Sequence, residues 1–346
     1  MGGSIAKALK NSEADIQISA FDKEDILKRA MEDGVIDSPL DNIECVLASD
    51  LIFLCTPVDA SISIFNSIAG KLSPNTILTD VCGVKFPLQK IWDAKGKTGK
   101  YIGGHPMTGK EVGGYENSDP LLFENCVYIL SEDLNQNEEL SEFRKIIELL
   151  GANILFVPPK QHDLIAASVS HLPQLVSVAL VNTAALKTDY YNFLDLAAGG
   201  FRDMTRIASS DFKIWEPVIR ENKKEIITAI EKFQFELDKL KNSISENKTE
   251  EIEKYFDLAR TRRDEIPKNT KGFLKPLHDL YIFVKDEPGV ISRVSTTLAK
   301  ENLNIKDIEL LKIREGSGGT FRIAFESADD AASAHKCLRN AGFKTK

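Results

Sequence analysis

The chain has 346 residues, of which 42% are hydrophobic and 28% are charged, and its net charge is −8. This length allows two or three domains of roughly 100–200 residues each, and the composition is ordinary for a globular protein. The acidic balance disfavours a nucleic-acid partner, which would require clustered Lys and Arg. We expect no membrane partner, because we identify no signal peptide and no apolar run near the roughly 20 residues that span a bilayer.

The five cysteines are scattered along the chain and form no CxxC pair. Scattered thiols are typical of a reduced protein of the cytoplasm, and this spacing disfavours a zinc site. We therefore expect a cytoplasmic protein without a metal site.

The first 157 residues alternate short apolar strands with helical patterns. The predicted strands are DIQISAFD, SDLIFLCTPV, NTILTDVCGVK, KYIGGHPMTG, NCVYIL and ANILFV. Strands separated by helices of about 10–15 residues predict crossover connections and a mostly parallel sheet. Residues 1–157 are thus expected to form a Rossmann-type α/β domain.

The opening segment, MGGSIAKALK, resembles the end of a dinucleotide-binding turn. Gly2 can be the third glycine of that turn, and Asp22 ends the next predicted strand, where an acidic residue accepts the ribose hydroxyls. An Asp there repels a 2′-phosphate, which favours NAD over NADP. The cofactor-binding residues predicted in this domain, including the two that close the strand DLIFLCTPV, are Gly2, Gly3, Ser4, Asp22, Thr56 and Pro57.

The strand and the two glycines that should precede this turn are missing from the sequence, so we expect the first strand of the sheet to be truncated. We expect the natural polypeptide to start roughly ten residues upstream, because the missing strand would be central in such a sheet. Without it, the strands on either side would keep unpaired backbone N–H and C=O groups. Each such buried group destabilises the fold by about 1–3 kcal/mol. The alternative is an ordinary N-terminal helix with Ser4 as its cap.

Long helical patterns dominate residues 158–265. The segment EIITAIEKFQFELDKLKNSISE, for example, places Ile, Phe and Leu at three- and four-residue spacing, which predicts an amphipathic helix. We expect an all-helical domain that pairs the subunits of a homodimer, with a bundle closed on itself as the alternative. Residues 266–277, with two Pro and one Gly, are predicted to be a linker.

Residues 278–346 predict a small α+β sandwich in the order βαββα, with at most a short final strand. Gly289 lets the chain turn tightly before the first helix of this domain. The turn exposes backbone N–H groups at the start of that helix, which is a suitable place for a carboxylate.

Three motifs carry the residue types of an active site. GGHPM follows a strand and places His105 at its end, and SHLPQ places His171 and Gln174 on the first helix of the second domain, where Pro173 interrupts the backbone ladder. The third motif, GGFRDMTRIASSDFKIW, contains Arg202, Asp203, Arg206 and Trp215.

In this order, GGHPM with a distal LFEN, SHLP, and GGFRDMTRIA followed by SD and W resemble the prephenate dehydrogenase family, and KDEPGVISRVSTTLAKENLNI is similar to an ACT domain. The likeness covers essentially the whole chain. It implies NAD-dependent oxidative decarboxylation of prephenate to 4-hydroxyphenylpyruvate, on the way to tyrosine. The alternatives are an arogenate dehydrogenase and, in another class, a catalytically impaired protein that senses an amino acid.

The resemblance also implies roles for the motif residues. His105 matches the catalytic histidine of the family, and a neutral imidazole is a suitable base near pH 7. Arg206 is expected to bind a carboxylate of the dianionic substrate through two hydrogen bonds. Arg206 can instead form a salt bridge at the domain interface, His171 can equally be a helix-capping or interdomain residue, and Trp215 can belong to the core. The residues expected to bind or surround the substrate are Arg202, Asp203, His171, Gln174, Trp215 and Gly83.

Two positions depart from the family pattern. The family motif D-x-G-S-x-K reads DVCGVK here, so Gly83 takes the place of the serine and Cys82 precedes it. A water or the Cys82 thiol replaces the hydroxyl, or the hydrogen bond is missing at a cost of about 1 kcal/mol. Gln174 stands where many relatives have His, which leaves the choice between prephenate and arogenate open.

ACT domains usually pair and bind an amino acid at their junction. By resemblance the effector would be tyrosine, as a feedback inhibitor, and a purely structural role in dimerisation is the alternative. The residues predicted to contact the effector are Pro288, Gly289, Asn304 and Asp307.

Overall fold

The computed structural model of the chain describes residues 1–12, 14–95, 98–109, 112–132, 140–265, 277–285, 287–314 and 318–345. The chain divides into two compact units, which we call the first unit (Met1–Lys254) and the second unit (Tyr255–Lys346). Apart from Leu277, the predicted linker of residues 266–277 lies outside the described residues.

The first unit begins with an α/β part in which short strands alternate with helices. Its elements are α1 (Gly2–Asn11), β1 (Ser19–Ala20), α2 (Glu24–Glu32), β2 (Ser38–Pro39), β3 (Leu51–Leu54), α3 (Val58–Ile68), β4 (Ile77–Asp80), α4 (Phe86–Ala94), β5 (Lys100–Ile102), β6 (Gly104–Pro106), β7 (Val127–Leu130), α5 (Ser141–Leu149) and β8 (Asn153–Phe156). β1 pairs with β2, β3–β4–β5 form a second parallel sheet, and β7 pairs in parallel with β8. β6 runs antiparallel to β7. The predicted Rossmann-like, mostly parallel arrangement is therefore confirmed.

The predicted strands are longer than those in the structure. DIQISAFD forms only the two-residue strand β1, and KYIGGHPMTG divides into β5 and β6. Gly103 separates β5 from β6, and at the next residue a Cβ would lie 2.5 Å from the backbone oxygen of Asp80, so Gly104 is required where β6 passes the end of β4. This close approach brings the residue after Gly104, which is His105, to the carboxyl end of β4.

Helix α1 packs through one face against the α/β part. Ile5, Ala8 and Leu9, at three- and four-residue spacing, are buried in an apolar cluster that also contains Leu130 and Phe143. This is the pattern of an amphipathic helix on a core. The start of α1 is consequently held beside the residues that follow β3.

A helical part follows β8. Its elements are α6 (Pro159–Ala166), a π-helical turn (Ala167–His171), α7 (Leu172–Ala184), α8 (Gly199–Thr205), a 3-10 turn (Arg206–Ser209), α9 (Phe212–Glu221), α10 (Lys223–Ser245) and α11 (Thr249–Glu265), within which the boundary between the units falls. The predicted all-helical domain is therefore confirmed as a fold.

One continuous helix of 26 residues, Pro159–Ala184, is long and apolar enough to cross a membrane by length and composition alone, with a mean hydropathy of 1.7 in its most apolar window. This corrects our expectation that no apolar segment approaches that length. We expected Pro173 to interrupt the backbone ladder, and the regular α-helical ladder does give way to the π-helical turn Ala167–His171 directly before α7, although the helix itself continues. The buried polar residues of this helix include His162, Asp163, His171 and Gln174.

The second unit contains the predicted α+β sandwich. Its elements after α11 are β9 (His278–Val284), α12 (Val290–Lys300), β10 (Asp307–Arg314), β11 (Gly318–Phe325), α13 (Ala328–Asn340) and β12 (Lys344–Thr345). The strands form an antiparallel sheet in the order β10–β11–β9–β12. Ile282, Ile323, Leu298 and Leu338 are fully buried between the sheet and the two helices. This confirms the order βαββα with a short final strand.

Arg322 joins three strands across the face of this sheet that lies away from the helices. Its guanidinium donates to Asp279 of β9 at 2.9 Å, and to Asp307 at 2.5 Å and Glu309 at 3.1 Å, both on β10. The Arg322 side chain is only 11% exposed, so its charge is shielded from water and depends on these carboxylates.

We predict that Arg322→Met lowers the free energy of unfolding of the second unit by about 1–3 kcal/mol, because Asp279 and Asp307 lose the cation that they share. Urea denaturation of the full chain measures this change. Arg339→Met, at an exposed position of α13, is the matched control and should change stability by less than about 0.5 kcal/mol. Equal effects of the two substitutions would contradict the role given to Arg322.

Candidate active site

His105 lies at the end of a chain of three polar side chains. Its Nδ1 lies 2.8 Å from Nε2 of His162, and Nδ1 of His162 lies 2.8 Å from Oδ1 of Asp163. His162 and Asp163 are consecutive residues of α6 and are 1% and 4% exposed. β6 of the α/β part and α6 of the helical part therefore meet through these side chains.

The Asp163 carboxylate is held by the start of α4. Its Oδ1 accepts the backbone N–H of Lys85 at 2.7 Å, and its Oδ2 accepts that of Phe86 at 3.0 Å. A helix leaves its first N–H groups without partners inside the helix, and a negative charge is favoured at that end. Asp163 thus caps a helix of the α/β part and fixes the position of His162.

These contacts determine which ring nitrogens carry protons. A carboxylate oxygen only accepts, so His162 Nδ1 carries the proton that it donates to Asp163. With both rings neutral, His162 Nε2 is an acceptor, and His105 Nδ1 must donate to it. The lone pair of His105 is therefore on Nε2, and this nitrogen can accept a proton.

The surroundings of His105 keep its ring neutral. Burial lowers its pKa well below the ordinary value of 6.5, and positive charge on His162, Lys85 or His171 lowers it further. The proton-accepting form of His105 is consequently the one present at pH 7.

A buried ion pair supports the strand that carries His105. Lys85 and Asp80 are 1% and 0% exposed, and Lys85 Nζ donates to Asp80 and, at 2.5 Å, to the backbone oxygen of Gly104. Asp80 also accepts from the Tyr101 hydroxyl at 2.9 Å and from the Cys82 N–H at 2.8 Å. A buried pair is tolerated when its remaining hydrogen bonds are satisfied in this way. The pair fixes β6 one residue before His105.

Gly83 faces the free nitrogen of His105. A Cβ at Gly83 would lie 3.9 Å from His105 Nε2, in ordinary van der Waals contact. The neighbouring Cys82 lies in an apolar cluster with Leu54 and Val84, and burial raises the pKa of its thiol to about 12. Cys82 is therefore a protonated thiol at neutral pH.

His171 is the last residue of the π-helical turn, and its ring contacts the side chain of Asn222. Its Nδ1 lies 3.2 Å from Nδ2 of Asn222, and the same Nδ2 donates to the backbone oxygen of Asp163 at 2.8 Å. Burial lowers the pKa of His171 to about 4; the charge of Asp163 opposes this shift and that of His162 adds to it. The ring of Trp215 packs edge-on against His171, with 5.9 Å between centroids. The structure thus brings His171 and Trp215 together.

The predicted carboxylate-binding residues lie on neighbouring turns. Arg202 and Asp203 are exposed on α8, and Arg206 is exposed at the start of the 3-10 turn. Gln174 Nε2 donates to the backbone oxygen of Ile207 at 2.9 Å. Gln174 therefore fixes the residue that follows Arg206. Lys110 and Glu111, which belong to the stretch after GGHPM, lie outside the described residues.

The predicted cofactor residues cluster at the start of α1 and the end of β3. A Cβ at Gly2 would lie 3.1 Å from Cβ of Cys55, and one at Gly3 would lie 3.0 Å from the Tyr115 ring. Ser4 is buried, and its hydroxyl accepts the Asp119 N–H at 3.0 Å. Of the other three predicted positions, Asp22 is exposed beyond β1. The Thr56 hydroxyl is hydrogen-bonded to that of Ser61, and Pro57 is the N-cap of α3.

The predicted effector residues all lie in the second unit. Gly289 has a φ of 81° and is the N-cap of α12, so it adopts a left-handed conformation that glycine favours. Pro288 and Asn304 are exposed. Asp307 is bonded to Arg322 on the sheet.

Sequence reasoning missed four residues of this site: His162, Asp163, Lys85 and Asn222. A signal for the first two was present, because KQHDL places adjacent His and Asp residues in a segment that is otherwise helical and apolar. Their partners are distant in the chain, so spacing alone does not reveal them. In the described part of the chain, no group of three or more His, Cys, Asp and Glu side chains is placed to hold a metal ion.

A Rossmann-like part that meets helices supplying buried histidines is the arrangement expected of a dinucleotide-dependent dehydrogenase. Family models match residues 5–156 as the prephenate dehydrogenase nucleotide-binding domain, residues 158–258 as its dimerization domain and residues 278–342 as an ACT domain. The chain belongs to the prephenate dehydrogenase family, which confirms the predicted membership.

Individual relatives agree with this assignment. The prephenate dehydrogenase of Bacillus subtilis strain 168 is 31% identical over 98% of this chain and 93% of its own length. The crystal structure of prephenate dehydrogenase from A. aeolicus, in complex with hydroxyphenyl propionate and NAD+, has 32% identity and a TM-score of 0.68 and covers 77% of this chain and 94% of that chain. Synechocystis arogenate dehydrogenase has 27% identity and a TM-score of 0.66, with coverages of 76% and 95%.

We predict that His171 makes unfolding easier as the pH falls from about 6.5 to 4. The unfolded chain binds a proton on this histidine below pH 6.5, whereas the folded chain, with a His171 pKa of about 4, does not. The free energy of unfolding should therefore fall by about 1–3 kcal/mol over this range because of His171.

Urea denaturation between pH 7 and pH 4 measures this dependence, with His171→Gln as the comparison. The slope of stability against pH should be shallower in the variant. Identical slopes would show that His171 titrates normally in the folded protein.

Proposed function

We propose that this protein is an NAD-dependent prephenate dehydrogenase, which converts prephenate to 4-hydroxyphenylpyruvate on the way to tyrosine. The observation that carries the proposal is the bonded chain from Asp163 through His162 to His105, from which we infer a lone pair on His105 Nε2. Family membership supports the class of reaction, and the NAD+ complex of the A. aeolicus relative supports the cofactor.

In this proposal His105 removes the proton from the ring hydroxyl of the substrate. The ring is ready to do so at pH 7, because burial lowers its pKa. Once His105 is protonated, its Nδ1–H still donates to His162, and the N–H of His162 donates to the Asp163 carboxylate. The negative charge of Asp163 therefore stabilises the imidazolium through one intervening ring.

The residues present fit a dinucleotide. Within its described residues, α1 has no side-chain cap and no acidic residue in its first turn, so its N-terminal N–H groups suit a pyrophosphate. Asp22 is exposed beyond β1, where its carboxylate can accept the ribose hydroxyls. NAD, when bound, would supply the acceptor for the hydride of the hydroxyl-bearing ring carbon, and the electron pair left by loss of the ring carboxylate as carbon dioxide would complete the aromatic ring.

Arg206 is proposed to bind a substrate carboxylate, with Arg202 as a helper and Asp203 as a residue that orients one of them. A guanidinium offers two parallel donors, which suits a dianionic substrate. The hydrogen bond from Gln174 to Ile207 supports this role because it fixes the turn on which Arg206 lies. Trp215 packs edge-on beside His171.

Arogenate is the second candidate substrate. The likeness to Synechocystis arogenate dehydrogenase keeps it open, and prephenate and arogenate differ at a side-chain keto or amino group rather than at the ring hydroxyl. A catalytically impaired amino-acid sensor is less well supported, because a sensor has no use for the bonded chain from Asp163 to His105.

We propose that two copies of the chain pair through the helical domain, residues 158–265. α10 buries only Ile226 and Ala229, whereas Phe235 and Ile244 on the same helix are 60% and 57% exposed. Apolar surface of this kind is typical of subunit interfaces. The match of residues 158–258 to the dimerization domain of the family supports the same conclusion.

The remaining proposals concern the ends of the chain and its compartment. Residues 1–157 are proposed to bind NAD. Residues 278–346 match the ACT domain family and are proposed to bind tyrosine as a feedback inhibitor. The proposed contacts are the turn at Pro288 and Gly289 and the residues near Asn304 and Asp307. Five free cysteines suit the cytoplasm.

The proposal is tested by following NADH formation at 340 nm with prephenate and with arogenate, with and without tyrosine. We expect turnover of prephenate, inhibition by tyrosine, and a loss of kcat of about 10²–10⁴-fold in His105→Asn. His278→Gln, an exposed histidine of the second unit, is the control. A protein that binds NAD and oxidises neither substrate would be a sensor instead.

A second prediction concerns the missing serine. We predict that Gly83→Ser raises kcat/KM for prephenate by up to about tenfold, because a hydroxyl beside His105 Nε2 restores one hydrogen bond. The Cβ has room at this position, so Gly83→Ala is the matched control, and it should give no increase. If the serine variant is no faster than the alanine variant, the hydroxyl has no role here.

A further inference from the structure

Asn222 lies where α9 ends and α10 begins, and it is buried, with 4% exposure. Its backbone is fixed on both sides, since its N–H donates to the Val218 oxygen at 2.9 Å and its own oxygen accepts from the Ile226 N–H at 3.0 Å. The side chain is therefore held in one place between two helices. From there it reaches both α6 and the π-helical turn.

The orientation of the Asn222 amide follows from its partners. Nδ2 lies 2.8 Å from the backbone oxygen of Asp163, and only a donor can face a carbonyl oxygen. The same Nδ2 lies 3.2 Å from His171 Nδ1. Since an amide nitrogen donates and does not accept, His171 Nδ1 must carry the lone pair. The proton of the neutral ring is then on Nε2.

We propose that Asn222 is a positioning residue that holds His171 as the Nε2–H tautomer, so that His171 offers a hydrogen-bond donor to an oxygen of the substrate. This inference rests on the proposed function. His105 is held in the opposite form, with its lone pair on Nε2. The ring of His105 accepts a proton, and the ring of His171 donates a hydrogen bond. In each ring the tautomer is set by the partner of Nδ1, which is His162 for His105 and Asn222 for His171.

Asp163 is the common origin of both arrangements. Its carboxylate orders the protons through His162 to His105, and its backbone oxygen orients the Asn222 amide, which orders His171. The second contact of Asn222 Nδ2, to Nδ1 of His171, is the observation on which the positioning role rests.

The experiment determines the tautomer of His171 directly, by 15N NMR of the full-length protein labelled in histidine. The chain has five histidines, and His171→Gln identifies the signal. In the unsubstituted protein at pH 7 we expect a neutral ring with its proton on Nε2. In Asn222→Asp the new carboxylate only accepts, so the proton should move to Nδ1 or the ring should become a cation.

The same variant should lower kcat/KM for prephenate by about 10–100-fold, while the dissociation constant of NAD changes by less than about twofold. Asn242→Asp, the same change at an exposed position of α10, is the control and should alter neither. If Asn222→Asp does not fold, Asn222→Ala serves, and both tautomers of His171 should then be populated.

An Nδ1–H ring in the unsubstituted protein, or an unchanged His171 signal in the Asn222 variant that folds, overturns the inference. Failure of the proposed function is a separate result. A chain that does not oxidise prephenate can still show the Nε2–H ring and its loss in Asn222→Asp, because the NMR measurement needs no turnover.

Discussion

The capping of α4 by the Asp163 carboxylate is the interaction on which the candidate active site depends. Asp163 belongs to α6, and the N–H groups of Lys85 and Phe86 that it accepts belong to the α/β part. One contact therefore joins the two parts of the first unit and orders the protons on His162 and His105. The geometry of the site and its protonation have the same cause, so neither can change without the other.

The buried pair of Asp80 and Lys85 supports the strand that carries His105. Breaking a buried ion pair by removing one partner costs about 3–5 kcal/mol, because it leaves a charge without compensation. Lys85 also donates to the backbone oxygen of Gly104, and its own backbone N–H donates to Asp163. Lys85 thus connects the ion pair, β6 and the start of α4. His105 is therefore held both through its own strand and through its contact with His162.

Much of the fold could be predicted from the sequence, because hydrophobic periodicity reports which face of an element is buried. The order of the three parts and the βαββα pattern of the second unit follow from it. The continuity of α6 and α7 could not be predicted in this way. A proline normally interrupts a helix, and the π-helical turn that accommodates Pro173 leaves no pattern in the sequence. The site divides in the same way. His105 and His171 were found through motifs, whereas His162, Asp163 and Asn222 act through partners far along the chain, which spacing does not show.

Gln174 shows how a departure from the family pattern can leave the site intact. Its side chain is 5% exposed and donates to the Ile207 oxygen, a bond that an imidazole N–H can also make. An imidazole there would in addition titrate, so the hold on the turn that carries Arg206 would vary with pH. The amide keeps the same donor at every pH. Burial lowers the pKa values of His105 and His171, so these two rings are neutral together near pH 7.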